Sequence, residues 1–144
     1  MLTNRIALAG ATCCLLASSC MVSDPELSDL AISSSGSAIY IAVALCPGEK
    51  FSHGSAAWEG GGAELVPAGN HGRTARVKLA LAKNFPPERI RGRLDVELNL
   101  VDVRGRERLI GSFWTRSEVL SATDRYLSDD LTTVEPAELV ARGC

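Results

Sequence analysis

The sequence predicts a mainly β protein, a small antiparallel β-sandwich of immunoglobulin-like or transthyretin-like type with a short C-terminal helix. Short segments of alternating apolar and polar residues recur along the chain, Gly- and Pro-rich turn signals separate them, and only one segment has helix signals. The two strand cysteines that flank a Trp in immunoglobulin domains are absent from the sequence, so a small closed or partly open barrel is the alternative. With 144 residues, 46% of them apolar, the chain has the size of one domain.

The N-terminus has the features of an export signal. A single Arg precedes an apolar run over residues 6–17, and small residues follow up to Cys20. The apolar run is shorter than the roughly 20 residues that a membrane-spanning helix needs. We therefore predict a signal peptide over residues 1–19, a tether over residues 20–28 and a β-sandwich domain over residues 29–144.

The residues before Cys20 read Leu15-Leu16-Ala17-Ser18-Ser19. This stretch resembles the lipobox of bacterial lipoproteins, in which Leu and two small residues precede a Cys that becomes acylated. The resemblance implies acyl chains such as palmitate on Cys20, a lipid anchor in a cell membrane and an extracytoplasmic location. Ala17 and Ser19 equally suit a standard signal peptidase that cuts at the same bond, and the protein would then be secreted.

The cysteines bear on this choice. Removal of residues 1–19 leaves three of the five cysteines, which is an odd number for an exported protein. Cys46 ends the central predicted strand, and Cys144 is its obvious partner. A disulfide between them is predicted to clamp the C-terminal segment to that strand. Cys20 is then left without a partner, and acylation accounts for it.

Three strands are predicted in the first half of the domain, over Leu30 to Ile32, Ala38 to Cys46 and Phe51 to Trp58. The second is the central one, because its aliphatic residues recur at every other position, which is typical of a buried strand. Pro47-Gly48 is a strong turn signal between the second and third strands.

Residues 59–74 are predicted to form the longest loop of the domain. They contain Gly60-Gly61-Gly62 and show almost no apolar periodicity. Binding residues concentrate on such loops. The candidate contact residues are Glu59, Gly61, Asn70 and His71.

The second half contains the clearest alternation. Ala75 to Lys83 and Arg93 to Val103 each place aliphatic residues on one face, and Asp95, Glu97 and Asn99 are predicted to face water. A two-residue turn at Arg104-Gly105 into a strand over Arg106 to Trp114 sets Leu100 opposite Leu109 and Val96 opposite Phe113. This register is preferred because it places apolar residues on one shared face.

The C-terminal segment has helix signals after a polar, irregular stretch over residues 121–132. Thr132 or Thr133 can act as an N-cap, and Pro136 is tolerated in a first turn. Gly143 suits the end of a helix. A short helix is therefore predicted over Pro136 to Arg142.

The sequence predicts no metal or cofactor site. His53 and His71 are the only histidines, and their spacing is a poor zinc or copper signature. Asp124, Asp129 and Asp130 do not follow the spacing of a calcium loop. A solvated acidic loop is the preferred interpretation.

No catalytic residues are predicted either, and the protein is expected not to be an enzyme. Neither Gly-x-Ser-x-Gly nor His-Glu-x-x-His occurs in the sequence. Ser52 and His53 are adjacent, but neighbours on a strand point to opposite faces. Asp95 and Glu97 share a solvent face, where burial would not raise a pKa for acid catalysis.

Charge indicates no nucleic-acid partner. The formal net charge is −2, and the arginines at alternate positions are interleaved with carboxylates and lack an aromatic platform. Two triplets at period two, namely Arg89, Arg91, Arg93 and Arg104, Arg106, Arg108, could form a basic patch for an anionic glycan, lipid headgroup or nucleic acid, but a mixed-charge surface is the preferred interpretation. Trp58 and Trp114 are expected to belong to the core.

The predicted function is that of an exported, lipid-anchored, non-enzymatic binding or accessory protein of the cell envelope. It would contact an envelope protein or glycan through the predicted loop or through an exposed sheet edge. The alternative is a secreted or anchored inhibitor or immunity-type protein directed against an envelope hydrolase. A metal-carrying domain built on His53 and His71 is a third hypothesis.

Overall fold

A computed structural model describes residues 29–81, 86–142 and 144, with the backbone alone at His71. The predicted signal peptide, lipobox and tether therefore lie outside the described residues. No helix within the described part of the chain is long and apolar enough to cross a membrane.

The described residues form one curled antiparallel sheet of nine strands, in the order β7-β6-β3-β4-β5-β2-β1-β8-β9. The strands are β1 Leu30–Ser35, β2 Ala38–Ala44, β3 Lys50–Trp58, β4 Gly61–His71, β5 Thr74–Leu79, β6 Arg93–Val101, β7 Glu107–Thr115, β8 Tyr126–Ser128 and β9 Thr133–Val134. One short helix, α1, spans Arg116–Ser121. The mainly β prediction is confirmed.

The sheet curls around one main core. β4 pairs with β3 over residues 61–64 and with β5 over residues 65–71, so it belongs to both halves of the sheet. Aliphatic residues of β2, including Ile41, share a buried cluster with those of β6 and with Trp114. The predicted inward faces of β5 and β6 are confirmed, because Ala75, Val77 and Leu79 and all four leucine and valine positions from residue 94 to residue 100 are buried.

The predicted register of the β6–β7 hairpin is wrong by one residue. Leu100 lies opposite Arg108, and Leu98 lies opposite Ile110. The turn has three residues, with Gly105 at φ 76°, a left-handed conformation that this turn requires and glycine adopts freely. Because the extra turn residue shifts β7 by one position, Leu109 and Phe113 lie on the outer face.

The predicted loop over residues 59–74 is instead β4 with a tight turn at each end. The correction has a physical reason. β4 contains three glycines and a proline and changes partner in its middle, so it carries no regular apolar alternation. A register shift between Pro67 and Gly69 accommodates the proline within the strand.

The short helix lies before β8 and not at the C-terminus. In the segment predicted as helical, only Pro136–Glu138 forms a turn of 3-10 helix, and Leu139 returns to an extended conformation. Two cooperating hydrogen bonds fix the start of α1: Thr115 caps the backbone N–H of Glu118, and the Glu118 carboxylate accepts the N–H of Thr115 at 2.6 Å. β8 falls in the stretch predicted to be irregular.

Candidate functional site

A cleft opens on the outer face where β4 leaves β3. The pairing of the two strands ends at Ser55 and Glu64, after which β3 continues alongside β6 while β4 pairs with β5. The cleft has a volume of about 440 Å³, within the range of small-ligand sites. We call it the split cleft; it is lined by Phe51 to Ser55, Glu64, Leu65, Pro67, Glu97 to Asn99 and Leu109.

A bulge in β3 places two polar side chains at the rim of the split cleft. The β3–β6 register shifts between Phe51 and His53, so Ser52 is the extra residue. Its hydroxyl lies 3.2 Å from Nδ1 of His53. The expectation that these neighbours point to opposite faces therefore fails at the bulge. Within the described part of the chain, the Ser52 hydroxyl is the one hydrogen-bond partner of the His53 ring.

Hydrogen-bond acceptors dominate the polar lining of the cleft. Glu64 of β4 and Glu97 of β6 both lie opposite Ser55, one on each side of β3. Neither glutamate forms an ion pair within the described part of the chain. Asn99 was expected to face water but is only 7% exposed, because His53 and Leu109 flank it on the neighbouring strands. Its buried Oδ1 has no hydrogen-bond partner among the described residues. These groups favour a ligand that carries several N–H donors and a positive charge.

Exposed apolar side chains border the cleft on the β7 side. Leu109 is 66% exposed and Phe113 is 52% exposed. Arg93 lies over the Phe113 ring at 4.5 Å and forms an ion pair with Asp95 at 2.9 Å. β7 itself is the last strand of the sheet order and pairs with β6 alone among the described strands.

The structure does not bring the four predicted contact residues together. Glu59 lies in the turn between β3 and β4, and Gly61 begins β4, where the Trp58 ring covers its backbone. Asn70 and His71 lie at the other end of β4, about 30 Å away along an extended strand.

The structure disperses the two arginine triplets. Arg93 pairs with Asp95, and Arg106 pairs with Asp102 at 2.7 Å. Arg89 and Arg91 share a shallow groove with Arg116 and Trp58, in which Glu59 and Glu88 are interleaved. This groove is a mixed-charge surface and not a uniform anionic-ligand patch. Trp114 is fully buried, as predicted, whereas Trp58 is half-buried.

Cys46 and Cys144 form the predicted disulfide, with their Cα atoms 5.5 Å apart. Arg108 holds the same end of the sheet together. Its Nε and Nη2 donate to the Glu49 carboxylate at 2.7 and 2.6 Å, and its Nη1 donates to the Arg142 carbonyl at 3.0 Å. Nη1 also lies 3.6 Å from a carboxylate oxygen of Asp29. β7, the start of β1 and the C-terminal segment therefore meet at one point.

The carboxylates at this end differ in their electrostatics. The hydrogen bond from Arg108 holds the pKa of Glu49 below its ordinary value. Burial raises the pKa of Asp29, although Arg142 and Arg108 oppose the rise. Folding therefore shifts the pKa values of the two carboxylates in opposite directions.

The described residues contain no group of three or more His, Cys, Asp or Glu arranged to hold a metal ion. Asp130 is one of the three aspartates whose spacing does not fit a calcium loop. It accepts hydrogen bonds from the Ser128 and Thr132 hydroxyls, which lower its pKa. Its contacts are those of a residue that shapes the turn between β8 and β9.

Comparisons with protein-family models, with curated proteins and with solved structures found no match. Function must therefore be argued from the site alone. Sequence reasoning missed the split cleft, since the partner change of β4 cannot be seen in local patterns. Pro67, inside a segment that proved to be a strand, is the one local signal of an interrupted sheet.

Proposed function

We propose that the protein is an exported, lipid-anchored, non-enzymatic binding or accessory protein of the cell envelope, with the split cleft as its binding site. The lipobox resemblance at Cys20 supports the anchor, and the disulfide is compatible with an extracytoplasmic location. The two halves of the curled sheet share one core cluster, which supports the proposal that they pack as the layers of a sandwich.

The observation that carries the proposal is the composition of the cleft. Glu64 and Glu97 have no described ion pair, Asn99 leaves a buried carbonyl unsatisfied, and Leu109 adds an apolar wall. The matching partner is a cationic segment of an envelope protein, in which Lys or Arg side chains bring N–H donors to these acceptors.

The binding site is tested by photo-crosslinking in intact cells. A photoreactive phenylalanine analogue at position 55, inside the cleft, is expected to capture a discrete protein partner. The same analogue at position 37, in the exposed β1–β2 turn, serves as the matched control. Capture that is equal at both positions would show that the cleft is not the site.

Charge reversal tests the chemistry of the cleft. Glu97→Lys, combined with the photoreactive residue at position 55, is expected to reduce capture at least tenfold because it places a cation where the partner's cation binds. Glu88→Lys, at another exposed glutamate, is the control and is expected to leave capture unchanged. Undiminished capture with Glu97→Lys would refute a cationic partner.

The anchor is tested separately by the intact mass of the mature chain from membrane and soluble fractions. The proposal expects a chain that starts at Cys20, carries lipid and remains in the membrane fraction. Cys20→Ala is expected to release the chain into the soluble fraction. An unmodified chain in the soluble fraction would instead indicate simple secretion.

A further inference from the structure

We infer that the free edge of β7 pairs with β7 of a second copy of this chain, in an antiparallel dimer whose two-fold axis passes through Gly111. This inference goes beyond the proposed function and does not depend on it. It rests on three properties of β7: the direction of its backbone groups, the self-complementarity of its outer side chains and the placement of its charges.

The hydrogen bonds at the two ends of β7 fix the direction of its backbone groups. Asp102 N–H donates to the Arg106 carbonyl at one end, and Arg116 N–H donates to the Gly92 carbonyl at the other. Because facing pairs alternate along an antiparallel ladder, the even-numbered residues of β7 bond to β6. The odd-numbered residues, Leu109, Gly111 and Phe113 among them, direct N–H and C=O groups to the free edge.

This edge lacks the usual protection against pairing. β7 is nine residues long, contains no proline and is uncharged from Leu109 to Trp114. No hydrogen bond on the outer side of Leu109, Gly111 or Phe113 is made with another residue of the described part. Long edges without charged side chains or proline are templates for another strand.

The strand is complementary to itself in one register. When Gly111 lies opposite Gly111 of the second copy, the edge-directed groups of Leu109, Gly111 and Phe113 meet in hydrogen-bonded pairs, while the N–H of Thr115 keeps its bond to the Glu118 carboxylate. Leu109 then lies opposite Phe113 of the second copy, and the same contact forms on the other side of the axis. The two exposed apolar side chains of the strand cover each other, which is a favourable cross-strand combination.

The charges agree with this register. Glu107 comes to lie beside Thr115 of the second copy, whose β6 neighbour on the same face is Arg93. The two Glu97 side chains stay apart, because each is separated from the axis by a glycine of β7. Opposite charges therefore approach across the junction, and like charges do not face each other directly.

A cysteine at the axis gives a specific test. Gly111→Cys is tolerated by the fold, since a Cβ there would lie 3.4 Å from the nearest atom, the Val96 carbonyl oxygen. In the proposed register the two position-111 Cα atoms lie about 5.5 Å apart, within disulfide range, whereas the two position-109 Cα atoms lie about 13 Å apart along the strands.

The full chain with Gly111→Cys is expressed in its native host and oxidised in the cell extract. It is expected to run mostly as a disulfide-linked dimer on a non-reducing gel. Leu109→Cys and Val103→Cys are the matched controls and are expected to remain monomeric, as is the unchanged chain, which retains Cys20. Equal cross-linking of Leu109→Cys and Gly111→Cys would overturn the register.

Sedimentation of the unchanged chain in detergent tests the dimer without an engineered cysteine. A dimer is expected, and Phe113→Lys is expected to weaken it at least tenfold while leaving the circular dichroism spectrum intact, because Phe113 is exposed in the single chain. A monomer at high protein concentration, together with absent cross-linking of Gly111→Cys, would refute the dimer.

Discussion

Gly54 lies in β3 opposite Leu98 of β6, with little room for a side chain. A Cβ at this position would lie 2.7 Å from the Glu97 carbonyl oxygen and 3.0 Å from Cδ1 of Leu65. We expect Gly54→Ala to lower the free energy of unfolding by about 1–3 kcal/mol, because β3 must shift to admit the methyl group. Gly111→Ala is the control and is expected to change it by less than about 0.5 kcal/mol. Urea unfolding measures both, and equal losses would show that the crowding at Gly54 is relieved without cost.

Glu49 and Asp29 are expected to change the free energy of unfolding with pH in opposite directions. The pKa of Glu49 is lowered in the folded state, so its contribution is complete above the unfolded-state pKa and is lost as the pH falls through the folded-state pKa. The pKa of Asp29 is raised, so its contribution is present below the unfolded-state pKa and is lost as the pH rises through the folded-state pKa.

We therefore expect Glu49→Gln to lose about 2 kcal/mol at pH 7, where a charged hydrogen bond to Arg108 is removed, and much less at pH 3. Asp29→Asn is expected to lose little at pH 7, since it removes a buried charge and keeps an acceptor for the Arg142 N–H. Denaturant titrations at the two pH values measure both effects. Equal losses at pH 7 would show that Arg108 needs both carboxylates.

At the residue scale, the sequence predicts a residue pair when few residues of the required type are present. The Cys46–Cys144 pair was predicted because Cys46 ends the central predicted strand and Cys144 is its obvious partner, which leaves Cys20 for acylation. The Arg108–Glu49 pair could not be found in this way, because the two residues are 59 positions apart and charged residues are common along the chain. The exposure of Asn99 was also wrong, since it depends on the residues that neighbouring strands place beside it.

Among the elements, α1 depends on its N-cap because it is only six residues long. It also connects β7 to β1, where Ser34 N–H donates to the Ala122 carbonyl at 3.0 Å. We expect Thr115→Ala to destabilise the fold by about 1 kcal/mol, as measured by thermal unfolding. Ser117→Ala, at an exposed neighbouring position, is expected to be close to neutral. If Thr115→Ala also left the thermal stability unchanged, packing alone would determine where α1 begins.

The elements that the sequence predicts best are those that face one environment along their whole length. β5 and β6 each bury one face against the same core, so their alternation is regular and visible. β4 changes partner at Leu65 and contains three glycines and a proline, which removes the alternation. The β6–β7 register failed because the choice between a two-residue and a three-residue turn rests on the backbone of Gly105 and not on apolar matching.

At the scale of the whole molecule, the disulfide closes a loop of 98 residues. We expect the double variant Cys46→Ala and Cys144→Ala to lose about 3–4.7 kcal/mol of unfolding free energy, according to the chain-entropy model. Calorimetry and denaturant unfolding measure the loss, and reduction of the unchanged protein is the control. A loss below about 1 kcal/mol would show that the Arg108 contacts suffice to hold this end of the sheet.

The overall strand order lies beyond sequence reasoning of this kind. Local patterns place strands along the chain, but β3 and β6 are neighbours in the sheet with two strands between them in sequence. The split cleft is a product of that order, because it opens between strands whose pairing stops midway. A site of this origin has no sequence motif, and the contact residues predicted on residues 59–74 therefore do not coincide with it.

The separation of the two disulfide cysteines also has a consequence for biosynthesis. If the chain is exported as proposed, Cys46 would emerge 98 residues ahead of its partner and would wait as a thiol in an oxidising compartment. Cys20 lies 26 residues nearer the N-terminus and would then already have been exported. A lipid on Cys20 would remove this competitor for thiol–disulfide exchange. The proposed anchor would thus protect the order of oxidation as well as fix the protein to its membrane.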